Sequence, residues 1–135
     1  MLGRKDYTQE ELTSCKVAIA AQLEAYRAVE AAVGEDALAG FEGPFFNHMV
    51  LALDRYFVHR VRAVSGKDGN PLNEVELIVD SLMLHGGILR ASNVIKYVPG
   101  DSVLGLEIGD RISLTREQFE CLSDAFVAEI ERRFL

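Results

Sequence analysis

The chain has 135 residues, 49% of them apolar, and a formal charge of −7. Such a length and apolar content suit one domain with its own core, needing no metal or disulfide staple. The acidic balance argues against sequence-independent nucleic-acid binding, which depends on Lys and Arg neutralising phosphates.

The N-terminus, from Met1 to Asp6, runs directly into polar helix-forming residues. It has neither the apolar stretch of an export signal nor a membrane span, so a cytoplasmic protein without membrane association is expected. Thr8 and Glu11 have the spacing of a capping box, in which hydroxyl and carboxylate satisfy backbone donors at a helix start. A first helix is predicted from about residue 9 to Val33, ending at Gly34. Its near-heptad stripe of Leu12, Cys15, Ile19, Leu23, Tyr26 and Val33 suits either the protein's own core or a second subunit. Gly34, Gly40, Gly43 and Pro44 then read as a connection, with at most a short helical turn around Asp36 to Ala39.

A second helix is predicted from about Phe45 to Val64, burying Phe46, Met49, Val50, Leu53, Phe57, Val61 and Val64. Ser65 to Asn70 is turn-rich, and Asn70-Pro71 supplies an N-cap and a first-turn proline for a third helix reaching about Leu84, closed by Gly86-Gly87. Val94 to Tyr97 and Arg111 to Leu114 are short β-like runs, with Pro99-Gly100 and Gly109-Asp110 marking turns. Thr115 and Gln118 repeat the capping-box spacing before a fourth helix, whose stripe is Phe119, Leu122, Phe126, Val127, Ile130 and Phe134. The predicted fold is mainly α: one domain over residues 1–135, four helices, and a small two-stranded antiparallel β insertion between the third and fourth.

The polar residues of the second and third predicted helices are patterned. His48, Arg55, His59 and Arg62, at spacings of seven, four and three, fall in one sector of the second helix. Asn73, Glu76 and Asp80 fall in one sector of the third. If the two run antiparallel across a short loop, the pairs Arg55 with Asp80, His59 with Glu76, and Arg62 with Asn73 lie at matching levels, because their position numbers share one sum. Arg55, Arg60, Arg62 and Lys67 also make this region basic within an acidic chain. One reading is a structural ladder fixing the register of two apolar helices. The other is a pocket in which Arg55 and Arg62 hold an anionic small molecule, or His59 and Glu76 exchange a proton.

A metal site would need His48, His59 or His85 to converge with Glu76 or Asp80, but the Glu-x-x-His and His-Glu-x-x-His spacings of metalloproteins are missing, and no metal or cofactor is expected. Gly66 to Asn70 fits neither a phosphate loop nor a calcium loop. Cys15 and Cys121 stand far apart without paired Cys or His neighbours, so both are expected to be free, uncatalytic thiols.

The blocks Phe46-Asn47-His48, Phe57-Val58-His59-Arg60, Gly66 to Val75, Ile95-Lys96-Tyr97 and Gly109 to Ile112 resemble a family of small uncharacterised actinobacterial proteins, over roughly residues 44 to 135. The resemblance implies a bacterial cytoplasmic setting and no activity. The functional expectation is a non-enzymatic helical protein acting through homo-oligomerisation or a partner. Its alternative is an anion-binding protein or enzyme using the seam of His48, Arg55, His59, Arg62, Asn73, Glu76 and Asp80.

Overall fold

A computed structural model describes residues 3–135; Met1 and Leu2, where the polar N-terminus read from the sequence begins, lie outside them. Five α-helices follow in order: α1 (Gln9–Val33), α2 (Glu35–Arg55), α3 (Arg62–Ser65), α4 (Pro71–Leu84) and α5 (Arg116–Phe134), with a 3-10 turn at Pro99–Asp101. The α5 helix packs against all the others, and α2 packs against α1, α4 and α5. Phe46, Phe57, Phe119, Phe126 and Phe134 are fully buried between them. Each such ring contributes about 2 kcal/mol through removal of apolar surface from water.

The caps form as the sequence indicates. Thr8 and Glu11 close a capping box at α1, Thr115 and Gln118 close another at α5, and the Asn70 side chain accepts from the backbone of Leu72 and Asn73 ahead of Pro71. The α1 stripe is used internally: Leu12, Cys15, Ile19 and Tyr26 are buried, whereas Val33 is exposed. Both cysteines are free, Cys15 buried and Cys121 exposed. Burial pushes the Cys15 thiol up to about 11.

Three expectations are corrected. The first is the connection at Gly34 to Pro44. Gly34 alone separates α1 from α2, in a positive-φ conformation (φ 87°) that a side chain would resist, and the following residues are already helical. Pro44 sits inside α2 and removes one helix bond. The turn persists because Leu38, Phe41 and Phe45, at helical spacing, pack on Tyr26 of α1. Gly43 lets Ser113 approach closely: a Cβ there would lie 2.3 Å from Ser113 Oγ and force that hydroxyl to another rotamer.

The second is the long helix ending at Val64. The α2 helix stops at Arg55, and Tyr56 to Val61 form a turn held from outside. The Tyr7 hydroxyl meets the carbonyls of Phe57 and Val58 at 3.0 and 2.7 Å, and the Arg60 guanidinium donates to Phe57 O and to Asp54. Val61 N donates to Arg4 O, and Arg4 N to His59 O. These bonds occupy carbonyls that a continuing helix would need, and His59 takes a positive φ of 64°.

The third is the β insertion. Among the described residues there are no strands, only isolated bridges joining Arg4 with Arg60, Asp68 with Lys96, and Ile88 with Arg111. The two β-like runs do not meet. Lys96 pairs with the Lys67–Asp68 turn, while Ile112 N donates to Gly87 O. Side chains serve the rest of their backbone: Asn47 donates to Ile112 O and accepts from Leu114 N, and Ser92 accepts from Val94 and Ile95. The apolar residues that suggested strands, Ile95, Ile112 and Leu114, insert singly into the helical core.

Candidate functional site

Two regions compete for a functional reading. In the first, around the predicted seam, Arg62 is the hub. Its Nη1 donates to Asn73 Oδ1 (2.9 Å) and Gly66 O (3.1 Å), and its Nη2 to Glu76 Oε2 (2.6 Å). The fully buried Asn73 completes the knot: its Nδ2 lies 2.7 Å from Asp68 O, 3.1 Å from Gly66 O and 3.4 Å from Ser65 O. Arg62 and Asn73 therefore meet as their positions suggest. Glu76 pairs with Arg62 and not with His59.

The remaining seam residues do not join this knot. His48 is exposed and donates its Nδ1 proton to Pro44 O (2.8 Å), one helical turn back. Arg55 and Asp80 are both exposed and form no ion pair among the described residues. The Asp80 carboxyl is pushed up by partial desolvation and by the neighbouring Glu76 and Asp54 carboxylates. The physical reason lies in the early end of α2. Arg55 is on that helix, Arg62 is on α3, and the turn between them removes the common register that a single helix would have imposed.

A cleft of about 390 Å³ lies here, lined by Asp54, Val58, His59, Arg60, Arg62 and Glu76. Its arginines already have carboxylate partners, Arg60 with Asp54 at 2.9 Å and Arg62 with Glu76. Arg60 is further covered by Phe126, its guanidinium carbon 5.2 Å from the ring centroid. Each cation is already neutralised by a carboxylate, so an incoming anion would meet little net attraction and the arrangement serves the turn better than a ligand. Among the described residues, no three His, Cys, Asp or Glu side chains converge as a metal site.

The second region was not singled out in the sequence reading, although its spacing was visible. Leu38, Phe41 and Phe45 on α2, three and four residues apart, face Tyr26 on α1. The Tyr26 and Phe41 rings lie 6.4 Å apart and nearly parallel at 10°, Phe41 and Phe45 lie 5.1 Å apart, and Phe46 meets Tyr26 edge-on at 4.8 Å. The stack is incompletely covered. Phe41 is 50% exposed, and with Val29 and Leu38 it opens onto an almost wholly apolar groove of about 380 Å³, bordered by Gln22, Ala25, Tyr26 and Phe45. Val33, at the tip of the same hairpin, is also exposed.

Tyr26 has a second side. It also borders an acidic cleft of about 250 Å³, formed with Glu30, Glu35, Glu42, Glu117, Thr115 and Arg116. Burial raises its phenol, and the carboxylates of Glu42, Glu30 and Glu35 add to the effect. Arg116 is directed to Glu120, its backbone N–H going to Glu42. Glu120 also takes Arg27 from α1.

No helix among the described residues is long and apolar enough to cross a membrane. Comparison of the chain with protein-family models, curated proteins and solved structures finds no match, so its function is argued from these two regions alone.

Proposed function

We propose that this small, mainly helical, well-packed protein is a non-enzymatic docking protein that holds an apolar anchor of a partner on the aromatic face of its α1–α2 hairpin. The observation carrying this reading is Phe41, half exposed while stacked on a cluster whose other rings are covered. Exposed apolar residues scattered singly need no explanation, but a groove walled by several of them marks a binding surface. Aromatic side chains bring large contact area at low entropic cost, which suits them to interfaces. The seam is the weaker candidate, because the cations lining its cleft, Arg60 and Arg62, are held by Asp54 and Glu76.

The test is a titration with indole, a flat apolar probe, followed by NMR. Shifts are expected at Tyr26, Val29 and Phe41, and should be lost in Phe41→Ser. A parallel titration with inorganic phosphate should leave Arg60, Arg62 and His59 unmoved. Silence at the hairpin with saturable phosphate shifts in the seam would reverse the assignment.

A further inference from the structure

We infer that the occupant of the hairpin groove is a basic amphipathic helix, its apolar side chains lying against Tyr26, Val29, Phe41 and Phe45 and its cations over Glu30, Glu35 and Glu117. The inference rests on the docking reading above and adds the chemistry of the partner.

Shape points to a segment of chain. The apolar surface extends beyond the groove to Val33 at the hairpin tip. From Gln22 to Val33 the α1 helix advances about 16 Å at 1.5 Å per residue, a span suited to several anchors on one helix face. Charge points to its sign. The cleft next to the groove carries four carboxylates and one guanidinium. Glu30, Glu35 and Glu117 have no ion-pair partner among the described residues, whereas Arg116 is paired with Glu120. Tyr26 joins the two features. It is only 4% exposed, yet no described residue is hydrogen-bonded to its hydroxyl, which lies among these carboxylates at the border of the cleft. The ring is covered, but the hydroxyl itself reaches the solvent of the cleft, where a side chain of the partner would replace water.

The same charges disfavour a second copy. A two-fold contact through this face would bring Glu30 and Glu35 near their own symmetry mates, while Arg27 and the cleft's Arg116 are already held by Glu120.

The experiment compares three synthetic peptides on the full chain by fluorescence anisotropy and NMR. One is a helical peptide with a leucine face and a lysine face, the second replaces its lysines by glutamate, and the third scrambles the first so that no apolar face forms. The leucine–lysine peptide is expected to bind with shifts at Val29, Phe41, Glu30 and Glu35. Affinity should fall about tenfold or more in Phe41→Ser, and similarly in a Glu30→Gln/Glu35→Gln double variant, with salt weakening the wild type more than the charge variant. Equal binding of the glutamate peptide on the same residues would overturn the basic partner while leaving the docking reading in place. Equal binding of the scrambled peptide would reduce the effect to charge alone and overturn the helix. No footprint of any peptide on the hairpin would overturn both readings. A concentration-dependent dimer in sedimentation, lost in Phe41→Ser, would give the face to a second copy. Circular dichroism of each variant confirms that the fold is kept.

Discussion

The N-terminal half of α4 and the tip of the α1–α2 hairpin reverse the usual distribution of polarity. On α4, Asn73 and Glu74 are buried to within 1% of their surface, while on the hairpin Phe41 is half exposed beside Val29 and Val33. The polar residues have complete sets of partners. Asn73 gathers three carbonyls of the Ser65–Asp68 turn and receives Arg62, and Glu74 accepts the backbone of Val103 and Leu104 at 2.8 and 3.0 Å. On the hairpin, Phe41 stacks on Tyr26 and Phe45 and leaves half of its own surface in water. Buried polarity with internal partners explains structure, because it serves loops that have no strand partners of their own. Exposed apolarity with no internal partner is left for function to explain.

If that division is right, mutation should contradict the rule that apolar residues matter most. Asn73→Ala is expected to have the largest effect, about 2 kcal/mol, since it removes a fully buried amide that bonds Asp68 O, Gly66 O and Arg62 at once. Urea denaturation measures it. A loss below about 1 kcal/mol would mean that water enters the knot and replaces the amide. Phe41→Ser should destabilise by about 1 kcal/mol or less, because much of the ring's surface is already in water. A larger loss would make the stack a core feature and weaken the case for docking.

The same division explains what the sequence made legible. Caps are local, and Thr8, Asn70 and Thr115 located three helix starts because their chemistry is complete within four residues. The seam was partly legible: Arg62 and Asn73 meet, but the alignment assumed one unbroken helix. That helix is ended by Tyr7 and Arg4, about fifty residues away in sequence, and no periodicity within residues 45–64 registers them. The β insertion failed for a related reason. Alternating apolar residues report insertion into a core, but a strand also needs a backbone partner, and here the Asn47 and Ser92 side chains fill that role. The aromatic site was overlooked because Gly34, Gly40, Gly43 and Pro44 outweighed the helical spacing of Leu38, Phe41 and Phe45.

The smallest expected effect separates burial from pairing in two carboxylates. Glu11 is paired with Arg4 at 2.8 Å and also accepts from the Thr8 backbone, and these bonds lower its carboxyl to about 2. Its contribution to stability is therefore present above the unfolded value and is lost as pH falls through about 2. Glu74 has no cation partner among the described residues. Burial raises its carboxyl even though the two amides it accepts pull the other way. The folded state thus holds the Glu74 proton more tightly than the unfolded chain does, and the stability linked to it declines as pH rises from the ordinary glutamate range through its raised folded value. Urea midpoints measured from neutral to acidic pH should show the two signs. Relative to Glu74→Gln, the wild type should gain on acidification, and relative to Glu11→Gln it should lose at the acid end. A wild type that loses against Glu74→Gln instead would mean that the Val103 and Leu104 amides outweigh desolvation. The carboxylate would then be an asset in its charged form, and α4 would owe its buried polarity to anion-like coordination by the loop.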